Sequence, residues 1–287
     1  MPSPRLALLA LLLSACTSGA PAPVALTAPS VPVVTPTTAR PAPTPAPPLE
    51  RGADISWPSC PVGTPHTLPK KPGKGEPLPE PDAQFVVIGL TNGPGFYPNP
   101  CLSWEVSVAR SRHLAIAAYA FTTLPNAGQI SRYGRRGPYG NRTPLGRVRN
   151  AAYAEAQLNV ASLRRVGLKT PIVWLDVEPQ PYLEPWGSDI VVNRAVIYAA
   201  VAAYRQAGYA TGFYSSDLPW KTITGGLQDP SPVWVSAGPR GEAAARAMCG
   251  APTWSGGLPV LAQYWPDDHR DVDLTCLPAT AARFFSR

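Results

Sequence analysis

V-W-L-D-V-E-P, residues 173–179, places two carboxylates directly behind an apolar run. Side chains alternate along a strand, so Asp176 and Glu178 are expected on one face, with Cα atoms about 6–7 Å apart. Pro179 has no N–H to donate and ends the ladder. Two neighbouring acids at the end of a buried strand are costly unless something uses or neutralises them. The pair is therefore either catalytic or an acidic strand end that meets solvent.

Short apolar segments alternate with helical patterns on both sides of this stretch. The predicted strands are residues 53–57, 85–91, 114–122, 171–178, 210–215, 233–237, 260–265 and 272–275, and the predicted helices are residues 102–112, 147–166, 189–207 and 242–248. Runs such as F-V-V-I-G-L are apolar throughout, which is typical of parallel strands buried on both faces. Eight strands is the number that a closed barrel needs. The sequence predicts an α/β fold, an irregular (β/α)8 TIM-like barrel over residues 51–287, with few helices between its last strands.

Acidic and aromatic side chains cluster at the ends of the predicted strands, where barrel enzymes place their chemistry. The candidate catalytic acids are Glu178, Asp176, Asp54 and Asp273. The candidate sugar-binding residues are Trp57, Tyr119, Tyr214, Trp234, Gln263, Tyr264 and Trp265. Aromatic faces stack on pyranose rings, while one acid protonates the glycosidic oxygen and another handles the charge that develops. The pattern predicts a cleft for a sugar polymer. Trp174, in mid-strand, is expected to point outward to the helices.

The amino-terminal segment predicts export. Residues 1–16 contain one Arg, an apolar run and small residues before a cysteine, as in a secretory signal. The ending L-S-A-C resembles a bacterial lipobox, which would make Cys16 the lipidated first residue; an ordinary cleaved signal with a chance cysteine is the alternative. Residues 17–50 are dominated by Ala, Pro, Thr, Val and Ser and predict a semi-rigid spacer of at most ~100 Å. We expect a lipid-anchored protein at the outer face of the cytoplasmic membrane or in the cell wall.

Four further cysteines follow the spacer. In an exported protein they suggest two disulfides. Three connectivities are possible, and we favour Cys60 with Cys101 and Cys249 with Cys276 because each pair is local in sequence. The chain has no Cys-x-x-Cys and three histidines, which gives little support to a metal centre, and we predict no cofactor. The acidic run P-D-D-H-R-D, residues 266–271, is interpreted as a solvated turn and not as a cation site.

The net charge of +7 is carried by scattered arginines, notably in R-Y-G-R-R-G-P-Y-G-N-R, residues 132–142. On an exported protein the partners that fit are anionic wall polymers or lipid headgroups, and nucleic acid is not expected. The competing interpretation is a solvated loop whose arginines bind nothing in particular. We expect a monomer.

The order of short motifs along the barrel resembles glycoside hydrolase family 25. The motifs are D-I-S, F-V-V-I, A-A-Y-A-F, L-D-V-E, G-F-Y-S-S, V-W-V-S, Q-Y-W and D-V-D-L, spread over nearly all of residues 52–276. The resemblance implies a muramidase that cuts peptidoglycan between N-acetylmuramic acid and N-acetylglucosamine. It also implies that Glu178 is the general acid, Asp176 its partner carboxylate, and Asp54 and Asp273 further acids of the site.

Three parts of the chain depart from the family pattern, and one of them, W-P-S-C-P at residues 57–61, is more like a divergent group of exported bacterial proteins with this fold. Family members usually follow the second strand with a lysine and an acid, whereas this chain has G-L-T-N-G, residues 89–93, and Ala120 stands where the third strand often has a histidine. Three interpretations follow: a wall-directed glycoside hydrolase, a glycan-binding protein without strong catalysis on the same barrel, or an envelope scaffold whose Asp176 and Glu178 form structural ion pairs.

Overall fold

The computed structural model describes residues 50–65, 72–179, 186–267 and 270–287. The predicted signal segment, Cys16 and residues 17–49 of the spacer lie outside the described residues, and so does His269. Within the described ranges no helix is both long and apolar enough to cross a membrane.

Eight strands of the described residues form one closed barrel, in which each strand pairs with the next and β8 pairs with β1. They are β1 (Arg51–Ile55), β2 (Phe85–Gly89), β3 (Ala115–Phe121), β4 (Ile172–Asp176), β5 (Ala210–Ser215), β6 (Val233–Ser236), β7 (Pro259–Asp267) and β8 (Arg270–Thr275). Pairing is parallel from β1 to β7, whereas β8 is antiparallel to both of its neighbours. The predicted barrel is confirmed, and its irregularity lies in the β7–β8 hairpin, which replaces the last crossover helix.

The helices cover the outer face of the barrel, except for the short last one, which belongs to the carboxyl-terminal segment. They are α1 (Leu102–Ser111), α2 (Ala127–Tyr133), α3 (Pro144–Arg165), α4 (Ile190–Gln206), α5 (Asp217–Thr224), α6 (Gly241–Met248) and α7 (Pro278–Ala281). Each of the four predicted helices overlaps an observed one, but α2, α5 and the four-residue α7 were not predicted. Helix α2 is short and mostly polar and begins at a capping box of Asn126 and Gln129. Helix α5 contains Pro219, which is tolerated because it lies in the first turn.

Alternation along β4 decides which of its side chains enter the barrel. Val173 and Leu175 pack outward with the helices, whereas Ile172 and Trp174 join the interior cluster. The prediction that Trp174 points outward is therefore wrong. Room for the indole comes from Gly212 of β5, where an added Cβ would lie 2.4 Å from the ring. The same alternation turns Asp176 into the barrel, one layer above Trp174.

The carboxyl-terminal segment closes the amino-terminal end of the barrel. Phe285 lies 4.7 Å from the ring of Phe85, and Phe284 lies 6.4 Å from that of Trp174, measured between centroids. Ser286 pairs with Ile116 through two backbone hydrogen bonds of 2.8 and 2.9 Å. Access to the barrel interior is therefore from the carboxyl ends of β1 to β7.

Both predicted disulfides are confirmed. Cys60 and Cys101 connect the segment after β1 to the start of α1, with Cα atoms 5.6 Å apart. Cys249 and Cys276 connect the end of α6 to the end of β8, with Cα atoms 5.0 Å apart. Each bridge fixes a loop next to the barrel.

Candidate active site

An acidic cleft opens at the carboxyl ends of the parallel strands. Its volume is about 250 Å³, and it is lined by Asp54, Tyr119, Asp176, Glu178, Tyr214, Trp234, Gln263, Trp265 and Asp271. A recess of about 50 Å³ continues from Asp54, Tyr119 and Asp271 toward residues 76–79. The structure thus brings together three of the four predicted acids and five of the seven predicted sugar-binding residues.

Asp176 and Glu178 lie in this cleft because both continue the inward-facing positions of β4. Asp176 is buried, and its Oδ1 has no hydrogen-bond donor among the described residues. Burial raises the pKa of the Asp176 carboxyl well above its ordinary range, and the nearby carboxylates of Glu178 and Asp54 raise it further. Burial also raises the pKa of Glu178 to about 7. Near neutral pH Glu178 can therefore hold a proton and release it, as a general acid requires.

A hydrogen-bonded group of side chains holds Asp54 in place. Gln263 Nε2 donates to Asp54 Oδ2 at 2.8 Å, and Gln263 Oε1 accepts from Tyr214 Oη at 2.7 Å and from Ser236 Oγ at 3.1 Å. The pKa of Asp54 is raised by its burial and then by the charge of Asp273, against the lowering effect of Gln263. The two hydrogen bonds that Gln263 Oε1 accepts fix the direction of the amide, so that its N–H group points at Asp54 and favours the ionised form of that carboxyl.

Asp273 does not line the cleft, which corrects its predicted position. Because β8 runs antiparallel, its amino-terminal end faces the cleft, and Asp273 lies one layer deeper, level with Gly52 and Gln263. It is fully buried and accepts a 2.7 Å hydrogen bond from Trp234 Nε1. Burial, and then the charge of Asp271, raise the pKa of Asp273. Its role is to support Trp234 and Asp54 from below.

Asp271 takes the place at the cleft that was predicted for Asp273. Burial raises the pKa of Asp271 to about 8, with further contributions from the charges of Asp54, Glu76, Glu178 and Asp267. The interpretation of residues 266–271 as a solvated turn is wrong for this residue. The motif D-V-D-L, residues 271–274, could have predicted this position of Asp271, because the period of two along a strand places Asp271 and Asp273 on the same inner face.

Trp57 and Tyr264 lie outside the cleft, contrary to prediction. Tyr264 alternates with Gln263 and Trp265, so it faces outward and donates a 3.1 Å hydrogen bond to Glu242 Oε2 on α6. Trp57 belongs to the short helical turn after β1, where the Lys74 ammonium lies 5.2 Å from its ring centroid.

No arginine or lysine lines the acidic cleft within the described residues. The nearest cation in the adjoining recess is Arg270, which is paired with Glu80. Within the part of the chain that the structure describes, no recorded ion pair neutralises the acids of the cleft, which argues against the scaffold interpretation. Among the described residues the one group with three potential metal-ligating atoms is Cys60, Cys101 and Glu105, and the disulfide occupies both of its sulfur atoms.

Comparison with solved structures decides the fold family. A family 25 lysozyme from Aspergillus fumigatus superposes with a TM-score of 0.52 and 18% identity, over 82% of this chain and 97% of that one. The chain has the fold of the family 25 lysozymes. A bacterial lysozyme from Streptomyces coelicolor matches this lysozyme-like barrel with a TM-score of 0.53 and 16% identity, over 82% of this chain and 97% of that one.

Two further comparisons bear on the lysozyme-like barrel. The modular autolysin LytC from Streptococcus pneumoniae matches with a TM-score of 0.50 and 14% identity, over 78% of this chain and 46% of that one, and it has also been solved with a synthetic peptidoglycan ligand. The family model described as "Lysozyme-like protein 1" matches residues 143–246. No curated protein matches the sequence.

Proposed function

We propose that this lysozyme-like barrel is a glycoside hydrolase that cleaves β-1,4 glycosidic bonds of peptidoglycan, between N-acetylmuramic acid and N-acetylglucosamine. The observation that carries the proposal is the position of Glu178, an acid with a pKa of about 7 at the mouth of a cleft and next to buried Asp176. The peptidoglycan complex of the similarly folded autolysin supports the choice of substrate.

Each side chain has a defined role in the proposed reaction. Glu178 donates its proton to the glycosidic oxygen as the bond to C1 breaks. In their ionised forms Asp176 and Asp54 stabilise the positive charge that develops on the sugar, and the Gln263 amide keeps Asp54 oriented and lowers its pKa. The flat faces of Trp265 and Tyr119 provide stacking surfaces for pyranose rings at the cleft wall.

The nucleophile is either water or the acetamido group of the substrate, and the product distinguishes them. Attack by water from the opposite face inverts the anomeric centre, whereas participation of the acetamido group followed by water retains it. Proton NMR of the first product formed from a soluble glycan oligomer reports the anomer directly.

The first test compares residues 51–287 with the Glu178→Gln variant on purified peptidoglycan. We expect the native barrel to release reducing ends and muropeptides that end in muramic acid, identified by mass spectrometry, and Glu178→Gln to release none. Asp217→Asn serves as a matched control, since Asp217 is an exposed carboxylate on α5 outside the cleft. No release by the native barrel on several wall preparations would contradict the proposal.

A second candidate function is glycan binding without turnover. It is favoured by the segment after β2, because none of residues 89–93, where family members usually carry a lysine and an acid, lines the cleft. In that case the native barrel and Glu178→Gln would sediment equally with insoluble peptidoglycan, and neither would release fragments.

We also propose that Cys16 carries a lipid and that residues 17–50 hold the barrel away from the outer face of the membrane, as a monomer in reach of the wall. The two disulfides support export, because such bonds persist in oxidising compartments. The test is Cys16→Ala, which should move the protein from the membrane fraction to the soluble fraction. An unchanged distribution, or a mature protein that lacks a lipid by mass spectrometry, would contradict the anchor.

A further inference from the structure

A long section of the chain is entirely without acids. Between Glu105 and Glu155 there is no Asp or Glu, whereas there are eight arginines. Four of them, Arg132, Arg135, Arg136 and Arg142, are exposed on the end of α2 and on the loop that joins it to α3. We call these four residues the arginine platform. Arg147 and Arg149 lie half-buried in the first turns of α3, next to it.

The platform is built on a fixed backbone. The buried side chain of Asn150 donates to Gly134 O at 3.0 Å and to Tyr139 O at 2.8 Å, and it accepts from Tyr139 N at 2.9 Å. Gly137 has a φ of 147° and approaches so closely that an added Cβ would lie 2.4 Å from Asn150 Oδ1. A loop that only carries solvated charges does not need a buried amide such as Asn150 to bind its backbone on both sides.

Aromatic rings attach the platform to its surroundings. Tyr133 stacks on Phe96 of the segment after β2, with ring centroids 4.8 Å apart. The guanidinium of Arg149 lies 3.7 Å from the centroid of Tyr139. Since α2 begins just after the carboxyl end of β3, the platform lies on the side of the barrel where the acidic cleft opens.

Among the described residues, the guanidinium groups of the platform have no recorded carboxylate partner. No ion pair recorded for the described residues includes an arginine between 127 and 150. Arg132, Tyr133, Arg135 and Arg136 line a surface cavity of about 670 Å³ together with Gln157 of α3. Three guanidinium groups around one cavity, unneutralised and on a fixed backbone, form a preorganised receptor for several negative charges.

We propose that the arginine platform binds a linear polymer of phosphate groups, of the polyol-phosphate type. The planar fork of arginine matches phosphate with two parallel hydrogen bonds, and successive arginines fit successive phosphates along a chain. A bilayer surface fits less well, because none of the exposed large apolar side chains lies within residues 127–150. Through this site the barrel binds an anionic wall polymer while the cleft binds an adjacent glycan strand.

The test measures binding of fluorescent poly(glycerol phosphate) to the full chain in a Cys16→Ala background, by anisotropy at several salt concentrations. Arg132→Ala/Arg135→Ala/Arg136→Ala should weaken binding at least about tenfold. It should also reduce the slope of log K against log salt by about 2, since each lost phosphate contact accounts for about 0.7.

The matched control is Arg164→Ala/Arg165→Ala/Lys169→Ala, which removes the same three charges at the opposite end of α3. These residues are exposed and do not line the platform's cavity, and Arg164 lies seven residues, about 10 Å of helix rise, beyond Gln157. The control should bind like the native chain. Equal weakening by both variants would show a general effect of net charge and overturn the proposal.

Two further measurements keep the proposal separate from the proposed hydrolysis. Polygalacturonate of equal charge and vesicles with phosphatidylglycerol are the competitors, and tighter binding of either one than of poly(glycerol phosphate) would also overturn the proposal. On phosphate-free peptidoglycan the triple variant should retain native kcat/KM. Loss of polymer binding with intact hydrolysis would therefore identify the platform as a site of its own.

Discussion

The raised pKa of Glu178 predicts how hydrolysis depends on pH. A general acid acts only while it is protonated, and burial raises the pKa of Glu178 to about 7. With this value about nine tenths of the Glu178 carboxyl is protonated at pH 6 and about one tenth at pH 8. We therefore expect kcat/KM to fall about tenfold between these two pH values, and to fall about tenfold per pH unit above them.

The assay is kcat/KM on soluble glycan strands from pH 5 to pH 9 at constant ionic strength. Asp271 also changes charge in this range, because its pKa is raised to about 8. The matched variant Asp271→Asn removes that titration and leaves Glu178 in place, so the fall in rate near pH 7 should remain. Glu178→Gln should lower the rate by about 10²–10⁴ and abolish the dependence in what activity remains.

The stability of the barrel must be followed at the same pH values by thermal unfolding, so that loss of folded protein is not mistaken for loss of the proton. A native rate that stays flat from pH 6 to pH 8, with the barrel folded throughout, would refute the role of Glu178 as a general acid with a raised pKa. A fall that disappears in Asp271→Asn would assign the titration to Asp271 instead.

Three further predictions concern the barrel that supports the cleft. Burial raises the pKa of Glu105 to about 8, so the contribution of Glu105 to stability is complete below its unfolded pKa and is lost as pH rises toward 8. Between pH 5 and pH 7 the unfolding free energy should therefore fall by about 1.4 kcal/mol per pH unit because of this residue. Urea unfolding of Glu105→Gln should show that part of the slope removed. Gln263→Leu leaves Tyr214 Oη and Asp54 without the amide that they contact, and it should cost about 2–4 kcal/mol of unfolding free energy. Gln263→Glu should still bind substrate, but its activity should fall as pH rises. Phe285→Ala removes the ring that packs on Phe85 at the amino-terminal end of the barrel. It should lower the unfolding free energy by about 3–5 kcal/mol and leave the pH profile of kcat/KM unchanged. An unchanged unfolding free energy would show that this end of the barrel does not depend on Phe285.

The barrel could be predicted because each of its strands corresponds to a short local pattern of apolar residues in the sequence. Continuous apolar runs such as residues 85–90 specify strands buried on both faces, and their number specifies closure. Helix α2 was missed because its stability comes from the capping of Asn126 and from packing against α3, neither of which shows in hydrophobic periodicity. The orientation of Trp174 was missed because the space it fills is created by Gly212 on the next strand.

The candidate site was predictable up to the point where strand direction matters. Asp54, Asp176 and Glu178 follow from the rule that chemistry lies at the carboxyl ends of barrel strands. The same rule misplaced Asp273, because it assumes that β8 is parallel. The two residues between β7 and β8 permit a hairpin but no crossover helix, so β8 reverses and presents Asp271 to the cleft.

The crowding of acids in this cleft is itself informative about what the cleft accommodates. Asp176 is buried, Asp54 and Asp271 are half-buried, all three have raised pKa values, and Oδ1 of Asp176 has no donor among the described residues. Such an arrangement opposes folding, because buried carboxyl groups must either keep a proton or hold an uncompensated charge. A site that only packed the barrel would be more stable with neutral side chains at these positions. Under the proposed function the same acids become favourable at the moment when positive charge develops on the sugar, since they are already oriented toward it.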